Sequence, residues 1–475
     1  MFHPIGGRYI FRIPIGIGVR ILKTQALHKE ITVLRDSSEH SAVPQNVTVR
    51  KAPPKIQERN SLFSKVACTL KGYELNRYKH LDIACHKILA YVGVKNVSKV
   101  YESQAARIFP GVKWICALLL LRNKVISDQD TSHLVEYFSD SKLRYIHYSI
   151  ADWLLKHRRY DVTTESFFEK ANAQCREINV NFRYTDFITQ KYGFRSDKIE
   201  KNLRRMMMAD VYIHLTKNQK LRLAAMLYQR KKDMQAEKII RNVGKGYIVK
   251  NTTSPYIFNK ITTNKIYKDG FISRGSESFK TILRARNQFE KLILECRYSF
   301  CLVGNAPTEL NLGKGAIIDS KKLVIRINNY SLDHPEDYGT KQDIWVRVAN
   351  GEISGEHAHQ NKMIVFAANN FATKRKDAAT YLLPLSLMEK EYTVIPSHIF
   401  HELINKLGGL PSTGLATAYW IYKIIGPIPK QFLFGFSHLH EEADFKAHYF
   451  VDKDKAGTHL HQWDNEIRIF NQITR

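Results

Sequence analysis

Two short apolar runs that each stop on an asparagine constrain this chain more than any other feature. Tyr298-Ser-Phe-Cys-Leu-Val-Gly-Asn-Ala-Pro307 passes from apolar residues straight into a Gly-Asn turn, and Leu323-Val-Ile-Arg-Ile-Asn328 repeats the device. A short, continuous apolar run is the pattern of a strand buried on both faces, which is the usual state of strands in parallel sheets. Closing such a strand on Gly and a small amide sets a side chain at the carboxyl edge of the sheet, where α/β folds bind nucleotides. Two amides at adjacent strand ends can read a base or a ribose through hydrogen bonds.

The chain around these runs keeps the same rhythm. Strands are expected near Phe300 to Val303, Leu323 to Ile327, Ile344 to Val348, Met363 to Ala367, Tyr392 to Ile395 and Phe432 to Phe436. Helical stretches are expected near His398 to Leu407 and Leu415 to Ile425, and an amphipathic helix over Ser276 to Leu294 leads into the series. Such alternation predicts an α/β domain over 276–475, with a mostly parallel sheet covered on both faces.

The first half reads differently. Residues 1–60 mix Gly, Pro, Lys and Arg into a basic leader without defined elements. Over 61–243 apolar residues recur at helical spacing, as in Leu81, Ala84, Ile88 and Leu89, or Leu221, Leu223, Ala224 and Leu227. This predicts an all-α domain, an antiparallel array in the manner of tetratricopeptide repeats, although no clean repeat period emerges. Residues 244–275, with Thr, Asn, Ser and Lys and little periodicity, are expected to form a linker.

At this point several motifs, in order, resemble those of one known family. Cys301, Gly304-Asn305, Asp319, Arg326, Asn328, Tyr338-Gly339 and Asp343 resemble the large sialylmotif of the animal-type sialyltransferases, glycosyltransferase family 29. Pro411-Ser-Thr-Gly414 ahead of a helix and Phe434-Gly-Phe436 resemble the small sialylmotif. His448-Tyr449-Phe450 is similar to motif III, and His461 with Glu466 has the spacing of the very small motif. The resemblance covers Tyr298 to the C-terminal end and says nothing of the first half. It implies a Rossmann-like, GT-A-like sialyltransferase fold and an inverting transfer of sialic acid, or a related keto-sugar acid such as Kdo, from a CMP donor to a glycan hydroxyl.

It also implies roles. Gly304, Asn305, Asn328, Ser412, Thr413, Gly414 and Tyr449 would bind the donor, His461 would act as general base and His448 would stabilise the departing phosphate. Glu466 would orient the base or help to bind donor or acceptor. Taken as residues alone, Asn305 and Asn328 are equally turn formers and Ser412 equally a helix N-cap. A helix N-terminus suits a phosphate or a carboxylate, so capping and ligand binding are compatible there. Arg326 is expected on the face opposite Ile325 and Ile327, as a structural residue or a partner for Asp319.

Metal and cofactor chemistry is not expected. His438, His440, His448, His459 and His461 crowd the C-terminal end, but no Cys lies near them to complete a zinc set. Asp128-Gln-Asp130 and Asp452-Lys-Asp454 match the short Asp-x-Asp pattern that holds a divalent ion in many glycosyltransferases, a tripeptide that arises often by chance. The family's disulfide cannot form, since no cysteine follows Cys301.

Charge and localisation complete the reading. Lys+Arg 73 against Asp+Glu 45 gives a net charge of +28, which suits an anionic partner such as an acidic membrane surface or glycan. Nucleic-acid binding would rest on that charge alone, because no recognised module accompanies it. With no apolar run long enough to span a bilayer, no convincing signal peptide and scattered cysteines, the expectation is a cytoplasmic protein, with peripheral attachment at the inner face of an anionic membrane and a role in capsule or surface-polysaccharide synthesis. The alternative is a helical-repeat scaffold for an acidic polymer or membrane, carrying a degenerate transferase domain.

Overall fold

A computed structural model describes residues 128–139, 146–174, 177–251, 254–348, 360–370, 385, 389–437, 449 and 462–475. All of them belong to one compact unit. The helices before the sheet are α1 (Asp128–Phe138), α2 (Ile146–Lys156), α3 (Val162–Gln174), α4 (Ile178–Lys191), α5 (Lys198–Met207), α6 (Ala209–Tyr212), α7 (Lys217–Gln229) and α8 (Asp233–Val243). They are followed by α9 (Lys245–Lys250), α10 (Pro255–Thr263) and α11 (Gly270–Glu295).

The stretch expected to be a linker is therefore helical. Its polar residues are helix starts: the Ser254 hydroxyl accepts the Ile257 N–H at 3.2 Å ahead of Pro255, and the Asp269 carboxylate accepts the Phe271 N–H at 2.9 Å. Gly275, taken as the linker's last residue, lies inside α11, where a Cβ would come within 2.2 Å of the Phe258 ring. The glycine lets α10 and α11 cross closely.

From residue 300 the strands are β1 (Phe300–Val303), β2 (Leu323–Ile327), β3 (Ile344–Arg347), β4 (Met363–Phe366), β5 (Glu391–Val394) and β6 (Leu433–Phe434). Between them lie α12 (Gly315–Asp319), α13 (Pro335–Tyr338), α14 (Ser397–Leu407) and α15 (Thr413–Ile425), and α16 (Trp463–Ile473) follows β6. All neighbouring strands pair in parallel in the order β5-β4-β3-β2-β1-β6. The α/β expectation holds, and each expected strand is present. Only β6 is much shorter than expected, because its pairing with β1 passes into a glycine turn after Phe434.

Strands β1 to β4 are buried at every residue, as a sheet covered on both faces requires. Register places Val303, Arg326, Trp345, Ile364 and Tyr392 in one row across the sheet, facing one side. Arg326 is the charge in an otherwise uncharged row. Its guanidinium donates to the carbonyls of Lys341 (3.0 Å), Tyr338 (2.8 Å) and Gly339 (2.9 Å), and burial lowers its pKa. Asp319 holds the same turn from outside, accepting the Thr340 and Lys341 N–H groups. Arg326 and Asp319 thus brace one turn from two sides. Among the described residues no helix is long and apolar enough to cross a membrane.

Candidate functional site

The strand order fixes where a ligand edge can lie. From β1 the chain adds strands outward to β5, then returns to place β6 on the other flank of β1, so the order reverses between β1 and β6. In open parallel sheets the crevice beyond the carboxyl ends of the strands at such a reversal is the binding position. Here it falls on Gly304-Asn305 and Gly435-Phe436.

Two glycines close this edge on each other. Gly304 N–H donates to Phe434 O at 2.8 Å and Ala306 N–H to Gly435 O at 2.9 Å, so the ladder runs past the strands into both turns. A Cβ on Gly304 would stand 2.4 Å from the Gly435 carbonyl, and one on Gly435 (φ 69°) would stand 2.5 Å from the Gly304 carbonyl. The bareness of Gly304, expected to serve the donor, is taken up by this close strand approach. Glu309 secures it from beneath: buried, it accepts the Gly435 N–H at 3.0 Å and the Thr308 hydroxyl at 2.9 Å. Sequence reasoning missed Glu309, which has no marked neighbour in the chain and meets Gly435 only through the fold.

Asn305 spans to the next strand. Both bonds of its Nδ2 run to backbone carbonyls, Ile327 O at 3.0 Å and Asn329 O at 2.9 Å, which leaves Oδ1 buried and, among the described residues, without a partner. Asn328 occupies the left-handed region at φ 54°, a conformation asparagine tolerates, and its N–H donates to Val346 O at 2.6 Å. The indole of Trp345 donates to the Asn328 carbonyl at 2.6 Å. The Asn328 Oδ1 is likewise buried and unpartnered among the described residues. Each asparagine is therefore a turn former and also an open acceptor.

The N-terminus of α15 meets the same edge. Ser412 caps it, its hydroxyl accepting the Leu415 N–H at 3.2 Å, and Thr413 is buried. A Cβ on Gly414 would lie 2.9 Å from the Phe436 ring and 3.8 Å from Ile327, while one on Gly304 would lie 3.3 Å from the same ring. Phe436, just past β6, thus stands between the end of β1 and the first turn of α15, which Ile327 at the end of β2 also approaches.

Two residues expected at the donor do other work. Glu466, fully buried on α16, accepts the Ser412 N–H at 2.8 Å and so anchors the loop that enters α15. Tyr449 is buried in the cluster of Cys301, Val303, Val324 and Phe434, stacked on Tyr338 at 4.0 Å. Its hydroxyl donates to Ser331 O at 2.6 Å and accepts the Ser331 N–H at 3.0 Å, and its own N–H donates to Asn305 O at 3.0 Å. An aromatic at this depth serves packing and the Asn305 turn. His448, His461 and the other C-terminal histidines lie outside the described residues, as do Asp452 and Asp454. Cys301 is buried in β1, and desolvation pushes its thiol up to about 12.

Among the described residues, His334, Glu336 and Asp337 stand within 4.8 Å of one another at metal-ligand spacing. Asp337 already accepts the Asn311 N–H at 2.8 Å and the Gly313 N–H at 3.0 Å, and those bonds hold its carboxyl below the usual range. The grouping is accounted for as a loop brace.

The far side of the sheet edge is closed by the helical layer. Asn369, Asn370 and Asn405 donate to the carbonyls of Gln190 (3.0 Å), Thr189 (3.2 Å) and Lys191 (3.0 Å), which satisfies the last turn of α4. The turn after α2 reaches the loop before α15: Tyr160 N–H donates to Gly408 O at 2.6 Å, and Arg159 bridges Gly409.

The fold and this edge define an α/β protein with a candidate ligand site at the point of strand-order reversal. Comparison with protein-family profiles, with curated proteins and with solved structures returns no match.

Proposed function

We propose that this chain is an inverting glycosyltransferase that moves sialic acid, or a related keto-sugar acid such as Kdo, from a CMP-activated donor to a glycan hydroxyl. The observation that carries the reading is the pair of side-chain oxygens of Asn305 and Asn328, buried and unpartnered among the described residues, at adjacent strand ends that border the first turn of α15. Acceptors held this way call for N–H or O–H donors, which the amino group of cytosine and the ribose hydroxyls supply. A helix N-terminus beside them suits the phosphate. Motif order agrees with this arrangement, and a Rossmann-like sialyltransferase topology is the finer fold we propose for the sheet.

In this reading His461 takes the proton of the acceptor hydroxyl, which is too weak a nucleophile to attack the anomeric carbon unaided. His448 donates a hydrogen bond to the CMP phosphate as negative charge grows on it. Glu466 fixes the entry to α15 and Tyr449 fixes the Asn305 turn, so both are positioning residues. The basic excess fits work at the inner face of an anionic membrane on an acidic glycan. Mixing the full chain with CMP-sialic acid and with CMP-Kdo, and measuring free CMP in the presence of glycan acceptors, tests the proposal. Acceptor-dependent CMP release is expected from at least one donor. Failure to bind CMP would remove the nucleotide-sugar chemistry and leave a helical scaffold.

A further inference from the structure

The helical layer gathers cations at its end remote from the sheet. Residues 198–250 carry 14 Lys and Arg against 4 Asp and Glu, so a third of the chain's net charge of +28 lies in a ninth of its length. The last turn of α4 is fixed at the carboxyl edge of the sheet by Asn369, Asn370 and Asn405. Its 14 residues span about 21 Å and carry its first turn that far from those bonds. There Asn179 meets Gln219 of α7 at 3.4 Å, and Tyr212 of α6 meets Asn242 of α8 at 3.5 Å. The Lys217 ammonium of α7 lies 5.1 Å from the Tyr247 ring of α9, and that of Lys220 lies 4.5 Å from the Tyr212 ring. The starts of α4 and α7, the end of α8, and α6 and α9 therefore share one end of the array.

Arg204 is paired with Glu200 and Lys245 with Asp269, but Lys217, Lys220, Arg241 and Lys250 have no ion pair among the described residues. Apolar groups stand among these cations. Helix α6 is a single turn that buries no residue, and it is flanked by Met208 and Ile213, which are 55% and 68% exposed. Asp210 is the one carboxylate on this turn. Exposed apolar side chains scattered singly are ordinary. Two at the ends of an unburied turn, beside unpaired cations, have the composition of a surface that sits in a lipid interface.

We propose that this end of the helical layer docks the protein on an anionic phospholipid membrane, with Lys217, Lys220 and Arg241 as its charges and Met208 and Ile213 as its apolar points. Anionic headgroups attract the three cations, and the two apolar side chains bury beneath the headgroups. Charge disfavours an occupant from this chain: residues 1–127 hold 21 Lys and Arg against 7 Asp and Glu, and a second copy would bring the same cations. Nucleic acid would answer the cations through its phosphates but offers Met208 and Ile213 no apolar layer to enter. The inference gives a surface to the membrane attachment proposed above, and it rests on that reading, not on the transferase chemistry.

Cosedimentation of the full chain with vesicles of phosphatidylcholine, alone or with one-third phosphatidylglycerol, tests it. Wild type should prefer the anionic vesicles and bind them far more weakly at 1 M salt, where the Debye length is about 3 Å. Lys217→Gln, Lys220→Gln and Arg241→Gln should each weaken binding by roughly fivefold, and together by about a hundredfold, while Lys217→Arg with Lys220→Arg keeps it. Ile213→Ser should cost about fivefold or more. Ile213→Trp should bind as wild type does and be quenched by brominated acyl chains beyond the wild-type level. Wild type that ignores anionic vesicles at low salt would overturn the membrane reading and this surface with it. Vesicle binding that all three Gln variants and their combination retain would overturn this surface and leave that reading standing. An unquenched Ile213→Trp on bound vesicles would overturn the apolar docking. Loss of single-stranded poly(U) from the triple variant, with vesicle binding unchanged, would assign the face to nucleic acid instead.

Discussion

Two clusters of asparagine stand at the carboxyl side of one sheet, and they are used in opposite ways. Beyond β4 and in α14, Asn369, Asn370 and Asn405 spend their amide donors on the final carbonyls of α4. That junction holds the helical layer in place. Beyond β1 and β2, Asn305 and Asn328 close their strands and keep buried side-chain oxygens without partners among the described residues. Asn369 keeps such an oxygen too, yet it lies beside a helix C-terminus, which repels anions, whereas Ile327 and, through the Phe436 ring, Gly304, the neighbours of Asn328 and Asn305, stand against Gly414 in the first turn of α15. The same residue type thus glues one edge and leaves the other open, and what differs is the polarity of the helix end that faces it.

The largest test of this contrast is at the proposed reaction. His461→Ala should lower turnover by about 10²–10⁴-fold, the usual contribution of a positioned base, while CMP affinity stays nearly constant. Retention of more than about a tenth of wild-type turnover would show that the proton is taken elsewhere. Next in size is Gly304→Val. Its side chain would meet the Gly435 carbonyl, which is backbone and cannot swing aside. Overpacking of this kind should cost about 3 kcal/mol or more and abolish CMP binding with it, visible as a lower urea midpoint. A stable Gly304→Val protein would mean that the two turns separate easily and do not shape the site.

Paired alanine variants then compare the two edges directly. Asn328→Ala should weaken CMP binding by roughly ten- to hundredfold, the cost of about 1–3 kcal/mol for a lost buried amide bond, and Asn328→Gly, which takes φ 54° without strain, should do so with little change in melting. Asn370→Ala should do the reverse and lower stability by about 1–3 kcal/mol with CMP affinity intact. If both variants lose the same property, the distinction between glue and open edge fails.

The smallest effect concerns the glued edge and pH. His401 packs under Gly193 where α14 meets the turn after α4, and burial, then the neighbouring His398, push its pKa down to about 4. Because the folded value lies below the unfolded one near 6.5, the unfolded chain binds the proton more readily between those values. The stability held by neutral His401 is therefore full above about pH 6.5 and lost as pH falls towards 4. Between pH 7 and pH 5 the loss should reach about 2 kcal/mol, at 1.36 kcal/mol per pH unit. His401→Phe should flatten the pH dependence of the melting temperature over that window. An equally steep profile in the variant would assign the acid sensitivity to other groups.

Much of the sheet was legible from local pattern. Strand position depends on runs of apolar residues, which are printed in the chain, and the turns at Asn328 and the cap at Ser412 use residue types suited to those jobs whatever lies around them. The helices of 244–275 were not legible. Ser254-Pro255 and Asp269 are helix starts, but their signal was swamped by polar neighbours, and the reason for Gly275 is a phenylalanine on another helix.

What the amino-acid sequence determined by itself is the list of parts: parallel strands, their alternation with helices, and the polar residues at the strand ends. The tertiary structure alone decided what each polar group faces. Glu466 was as plausible beside a catalytic base as at the Ser412 N–H, and Gly304 as plausible beneath a ligand as against Gly435. Backbone propensity acts between near neighbours and survives in the sequence. Hydrogen-bond partners 54 or 126 residues away, as for Ser412 with Glu466 and Glu309 with Gly435, arise only when the chain has folded back on itself.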